Sequence, residues 1–125
     1  MRETATAQVD LGDNGVLIVR IRDGAHQKPA DARENLAAAM AEAAGRRRPL
    51  LVDIMGSPPL DAETRHLYSG QALDEGFTAL ALLVEASPLG RMLGNVYFRV
   101  ARPRIPTHLF TEEAAAVEWL KGYRT

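Results

Sequence analysis

Asp53 and Glu85 are the two carboxylates best placed for chemistry, because Asp53 stands toward the end of the strand-like run Leu50 to Met55 and Glu85 directly follows the run Phe77 to Val84. If these runs are neighbouring parallel strands, both carboxylates lie where α/β sheets place their sites. One held protonated beside an ionised partner can then do acid–base work. Arg65 and Arg91 are in reach from the segments that follow. The simpler expectation is that Asp53 pairs with Arg65, and Glu85 with Arg91 or solvent. No nucleophile, base and orienting group fall into the arrangement a catalytic trio needs. His26, His66 and His108 are scattered, and there is no cysteine, so a zinc site lacks its converging ligands. A Gly-x-Ser-x-Gly elbow, a Gly-x-Gly-x-x-Gly turn and a Walker loop are all missing. The residues therefore predict no catalytic residue, no cofactor and no metal, with a small hydrolase using Asp53 and Glu85 as a remote alternative.

The elements that must position these residues follow from periodicity. Phe77 to Val84 is a near-continuous apolar run, as in a strand covered on both faces. Ser87 can cap the next helix and Pro88 suits its first position. Leu89, Met92, Leu93, Val96 and Val100 then form one apolar stripe. Pro103 and Pro106 stop that helix, and Thr107 to Phe110 returns as a short strand. Upstream, Ala5 to Leu11 and Val16 to Arg22 flank Gly12-Asp13-Asn14-Gly15, whose Asn-Gly supplies the positive φ angles of a tight hairpin. Asp31 with Glu34 reads as a capping box, and Leu36, Ala39, Met40 and Ala43 as the buried stripe of the helix it opens. Arg46, Arg47 and Arg48 read as a solvated helix end, in preference to an anion patch. A second helix runs from about Asp61 to Leu73, and the last begins at Thr111. The predicted order is β-β-α-β-α-β-α-β-α, about five strands in a mixed, mostly parallel sheet with an N-terminal hairpin and four helices.

At 125 residues, with 46% apolar and 25% charged residues, the chain fits one ordinary globular domain with its own core. A formal net charge of −1 offers no pull toward nucleic acid or anionic membranes. No apolar run approaches the ~18 residues of a membrane span, and the N-terminus lacks the apolar region of a signal peptide. A cytoplasmic location is expected.

Ser87-Pro88-Leu89-Gly90-Arg91, Gly94-Asn95, Arg102-Pro103, Ile105-Pro106-Thr107, Leu109-Phe110-Thr111-Glu112-Glu113, Ala116 and Glu118-Trp119-Leu120 carry a resemblance, with Asp53 and Arg65 as weaker companions. With the element order, they resemble the STAS domain, the SpoIIAA-like fold of anti-sigma-factor antagonists, and more closely an uncharacterised bacterial STAS/SEC14-type single-domain family. The resemblance implies a SpoIIAA-like α/β fold and a non-enzymatic protein-interaction or regulatory role. STAS domains present a short Asp-Ser-Ser/Thr-Gly segment after the third strand to a partner kinase. Here that place reads Leu60-Asp61-Ala62-Glu63-Thr64, so Asp61 is kept while Ala62 and Glu63 replace hydroxyls. Ser57 and Thr64 are the hydroxyls left nearby.

The interaction residues expected from this reading are Asp53, Ser57, Asp61, Thr64 and Arg65 on one loop, and Gly90, Arg91, Gly94, Phe98 and Arg102 on the third helix. Gly90 and Gly94 allow a close approach of another backbone or a ligand. Phe98 among arginines resembles an interface anchor, most simply for a homodimer. The alternative function is a small apolar-ligand or lipid-binding domain of SEC14 type, its pocket lined by Tyr68, Phe77, Met92 and Tyr97.

Overall fold

The computed structural model describes residues 1–58, 60–68, 71–88, 90–92 and 104–124. Among the described residues six strands make one sheet in the order of the chain: β1 (Arg2–Glu3), β2 (Ala7–Leu11), β3 (Leu17–Ile21), β4 (Arg48–Asp53), β5 (Phe77–Leu83) and β6 (Thr107–Phe110). The first two pairings are antiparallel and the remaining ones parallel. The mixed, mostly parallel α/β sheet is thus the predicted one, with one strand more than the expected five. The addition, β1, is only two residues long and exposed, so it has no alternating pattern to read.

Asn14 and Gly15 close the hairpin differently from expectation. Only Gly15 takes a positive φ, 83°, while Asn14 acts through its side chain, whose Oδ1 accepts from the Val16 amide at 3.0 Å. The turn leaves Leu11 opposite Leu17, so Leu17, Val19 and Ile21 face inward together with Ala7 and Val9.

The helices are α1 (Pro29–Glu42), α2 (Ala62–Leu67), α3 (Gln71–Gly76) and α4 (Glu113–Lys121), and residues 90–92 are also helical. Pro29 moves the start of α1 forward from Asp31, because proline fits a first helical position. Asp31 then lies inside the first turn, its carboxylate accepting from the Lys28 amide at 2.8 Å, and Glu34 instead holds the Ala5 amide at 2.9 Å. Ala32, Asn35, Leu36 and Ala39 form the buried face, whereas Met40 stands 48% exposed, one position off that face. The expected helix from Asp61 to Leu73 is two short helices, α2 and α3.

One layer holds α1, α2 and α3, with α1 on β2 and β3 and α3 on β5; the opposite layer holds α4, on β4, β5 and β6. The strands alternate between the two cores. Leu50, Val52, Leu80 and Leu82 face the first, with Phe77 and Leu73, while Leu51, Ala79, Ala81 and Leu83 meet Ala116 and Leu120 in the second. Each fully buried Leu, Val or Phe side chain contributes roughly 1.5–3 kcal/mol relative to exposure, so these two layers hold the sheet. Among the described residues no helix is long and apolar enough to cross a membrane.

Candidate functional site

Parallel pairing brings the end of β4 beside the end of β3, with Arg20 directly opposite Asp53. Asp53 Oδ2 accepts from Arg20 Nη1 at 3.2 Å, and its Oδ1 accepts from the Met55 amide at 3.0 Å. The same guanidinium nitrogen donates to Glu113 at the start of α4. That hydrogen bond holds the Glu113 carboxyl below the usual carboxylate range. Asp53 is therefore joined to Arg20, and Arg65, its expected partner, donates to the Leu60 carbonyl instead. Glu85 is exposed beyond β5.

The loop after β4 leads into α2 through Asp61, whose Oδ1 accepts from the Thr64 amide at 2.8 Å. This amide bond is the main reason the Asp61 carboxyl sits below its ordinary value. Asp61, Ala62 and Glu63 are exposed, but Thr64 has no exposed surface at all. The Ser57 hydroxyl, half-buried, donates to the Pro58 carbonyl at 3.0 Å. The Thr64 side chain is therefore shielded from solvent, while Ser57 keeps part of its surface.

Tyr68, at the end of α2, is 3% exposed and belongs to a buried polar cluster. Its hydroxyl donates to Gln27 Oε1. Asn35 Nδ2 lies 3.0 Å from Thr6 Oγ1, 3.2 Å from Gln27 Oε1 and 3.2 Å from the Tyr68 hydroxyl, and Thr4 donates to Asn35 Oδ1. Burial pushes the Tyr68 phenol up to about 12. Phe77 is fully buried in the first core and Met92 is 53% exposed. Of the described members of the expected pocket, Tyr68 and Phe77 thus lie in the first core and Met92 lies outside it.

Gly90 sits against the chain's own backbone. A Cβ at Gly90 would lie 2.5 Å from the Glu85 carbonyl oxygen. The Gly90 amide also donates to Ser87 Oγ at 3.0 Å, so Ser87 caps this turn as its sequence position implies. Beside it, Arg91, Leu109, Phe110, Thr111, Glu112 and Ala115 line a groove of about 310 Å3 beyond the ends of β5 and β6. Gly94, Tyr97, Phe98 and Arg102 lie outside the described residues, and with them the expected aromatic anchor.

Two of the three arginines after α1, Arg47 and Arg48, bind backbone carbonyls. Arg47 donates to the carbonyls of Asp74, Glu75 and Phe77 at 2.7, 3.0 and 2.6 Å, and Arg48 Nε donates to the Ala43 carbonyl at 3.0 Å. They cap the ends of α3 and α1. Among the described residues no three of His, Asp and Glu converge as metal ligands. His108 packs in a ring cluster, 4.8 Å from Phe110 and 5.8 Å from Trp119.

Residues 11–124 match the family model described as "Domain of unknown function (DUF7793)". The chain belongs to the DUF7793 family. Among solved structures it is similar to an uncharacterised protein from the DUF3478 family with a SpoIIAA-like fold, from Shewanella loihica PV-4. The two are 16% identical, with 96% of this chain and 98% of that chain covered and a TM-score of 0.62. At that identity the likeness shows the fold, and this DUF7793 chain has the SpoIIAA-like fold its sequence implied. It also matches a protein of unknown function from Arthrobacter sp. FB24, 28% identical, covering 90% of this chain and 97% of that chain, at a TM-score of 0.36. No curated protein matches the chain.

Sequence reasoning missed Arg20 and Glu113 in this DUF7793 chain, together with Thr4, Thr6, Gln27 and Asn35. For Arg20 a signal existed: it shares a strand face with Ile18, where that face turns polar toward the strand end. Asn35 carried none, because one polar residue in an apolar helical stripe reads as a break in the stripe.

Proposed function

We propose that the chain is a non-enzymatic, STAS-type protein-interaction module, working in the cytoplasm through the loop from Asp53 to Arg65. The observation that carries this is the exposed, acidic opening of α2. Asp61 and Glu63 face solvent on a turn fixed by the Asp61–Thr64 bond, at the place where STAS domains meet their partners. Met55, 38% exposed in the same loop, adds an apolar contact. Thr64 is fully buried, and Glu63 supplies a permanent charge in place of a switchable hydroxyl. The partner is accordingly a protein surface with basic groups around an apolar depression. Asp53 supports the reading by stiffening the root of the loop, through Arg20 and the Met55 amide.

The test is a photo-crosslinking residue placed at Met55 or at Glu63, with exposed Gln8 on β2 as control, followed by irradiation of living cells. A discrete protein adduct from the loop positions and none from Gln8 is expected. Loop positions that behave like Gln8, together with a stoichiometric apolar ligand in native mass spectra of protein from cells, would replace this reading with the lipid-binding one.

A further inference from the structure

Arg91 and Glu112 stand on the groove between residues 90–92 and the start of α4, with an apolar floor from Leu109, Phe110 and Ala115. Both are exposed, and neither side chain makes a hydrogen bond or ion pair among the described residues. Opposite charges on one groove have a specific consequence for symmetric association. A two-fold interface requires every contact to be reciprocated, so a patch must complement itself. Arg91 and Glu112 meet that requirement: each can face the other residue on a second copy.

Two facing grooves would leave a void, and the side chain to fill it is adjacent. Met92 is 53% exposed beside Arg91. An unbranched thioether adapts to an irregular apolar floor, and a large exposed apolar side chain suits an interface. The net charge of −1 opposes association of two copies only weakly.

We propose that this groove is a homodimer interface. Met92 of each copy seats over the partner's Leu109, Phe110 and Ala115, and two reciprocal pairs of Arg91 with the partner's Glu112 flank it. The proposal rests on the preceding reading in one respect, that the chain works through its surfaces, but it uses a different surface.

Sedimentation of the full chain and its charge variants tests the geometry. The parent should dimerise. Arg91→Glu and Glu112→Arg should each weaken dimerisation by about tenfold or more, since each sets like charges opposite one another twice. Mixing the two variants should restore a dimer, because each then supplies the charge the other needs. A second measurement is independent of charge. The chain lacks cysteine, so a mixture of Met92→Cys and Ala115→Cys chains should form an interchain disulfide on mild oxidation, which neither forms alone. A parent that stays monomeric, variants that dimerise like the parent, or a mixture that gives no heterodimer and no disulfide would each overturn the interface. None of these results bears on the crosslinks at Met55 and Glu63, so the two readings fail separately.

Discussion

The Asn35 amide nitrogen lies 3.2 Å from the Tyr68 hydroxyl, with the two residues at 0% and 3% exposure. This contact joins the middle of α1 to the end of α2, and through Thr6 and Gln27 it reaches the start of β2 and the loop before α1. Buried polar groups of this kind are worth little net while satisfied and are costly when one partner is withdrawn. The cluster therefore acts as a lock on how the first helical layer sits.

Asn35→Leu removes the group that Thr4, Thr6, Gln27 and Tyr68 share. It should lower stability by about 2–4 kcal/mol, from stranded polar groups and poor shape match. Urea unfolding should show a lower midpoint at unchanged slope; an unaltered midpoint would mean the cluster carries no stability.

Tyr68 gives the fold an alkaline limit. Its phenol is pushed up to about 12 in the folded chain, whereas an unfolded tyrosine ionises near pH ~10. The neutral form is favoured by folding, so its contribution is complete below about pH 10 and is lost as pH rises toward about 12. The loss is up to about 2–3 kcal/mol. Tyr68→Phe should flatten this limb of the stability–pH curve while lowering stability at neutral pH by about 1 kcal/mol. A Tyr68→Phe chain with the parent's alkaline slope would contradict the assignment.

Gly90→Ala separates helix propensity from packing by sign. Propensity alone would stabilise a helical turn by about 1 kcal/mol. The new methyl, however, would lie 2.5 Å from the Glu85 carbonyl, which is backbone and cannot swing aside. A loss of about 1–3 kcal/mol is expected, read as a lower melting temperature.

Arg20→Met frees Asp53 and Glu113 together. The Glu113 carboxyl is held low by Arg20, so its stabilisation is present above the ordinary carboxylate range and is lost as pH falls through the folded value. The variant should lose less stability than the parent between about pH 5 and about pH 3. The side chains of Arg20 and Glu113 are each 42% exposed, and solvent screening keeps the difference below about 1 kcal/mol. Identical acid limbs in the two proteins would count against the pairing.

Local pattern was enough for the elements that bury an apolar face. The run Phe77 to Val84 contains a strand, Phe77–Leu83, covered on both sides because nearly every residue in it prefers the interior. The alternation of Leu17, Val19 and Ile21 orients β3 within a span shorter than any tertiary contact. Pro88 and Ser87 mark a helix start through their own backbone chemistry. These preferences belong to neighbouring residues and need no knowledge of the rest of the chain.

Partners distant in sequence were decided by the tertiary structure alone. Asp53 meets Arg20 because parallel register sets them opposite each other, and a register is a relation between strands joined through the whole of α1. Arg65, nearer in sequence, is turned to the Leu60 carbonyl. Asn35 is buried because Thr4, Thr6, Gln27 and Tyr68 converge on it from separate segments. Hydrophobic periodicity records which residues avoid water; it holds no information on which polar groups will satisfy one another once the layers close.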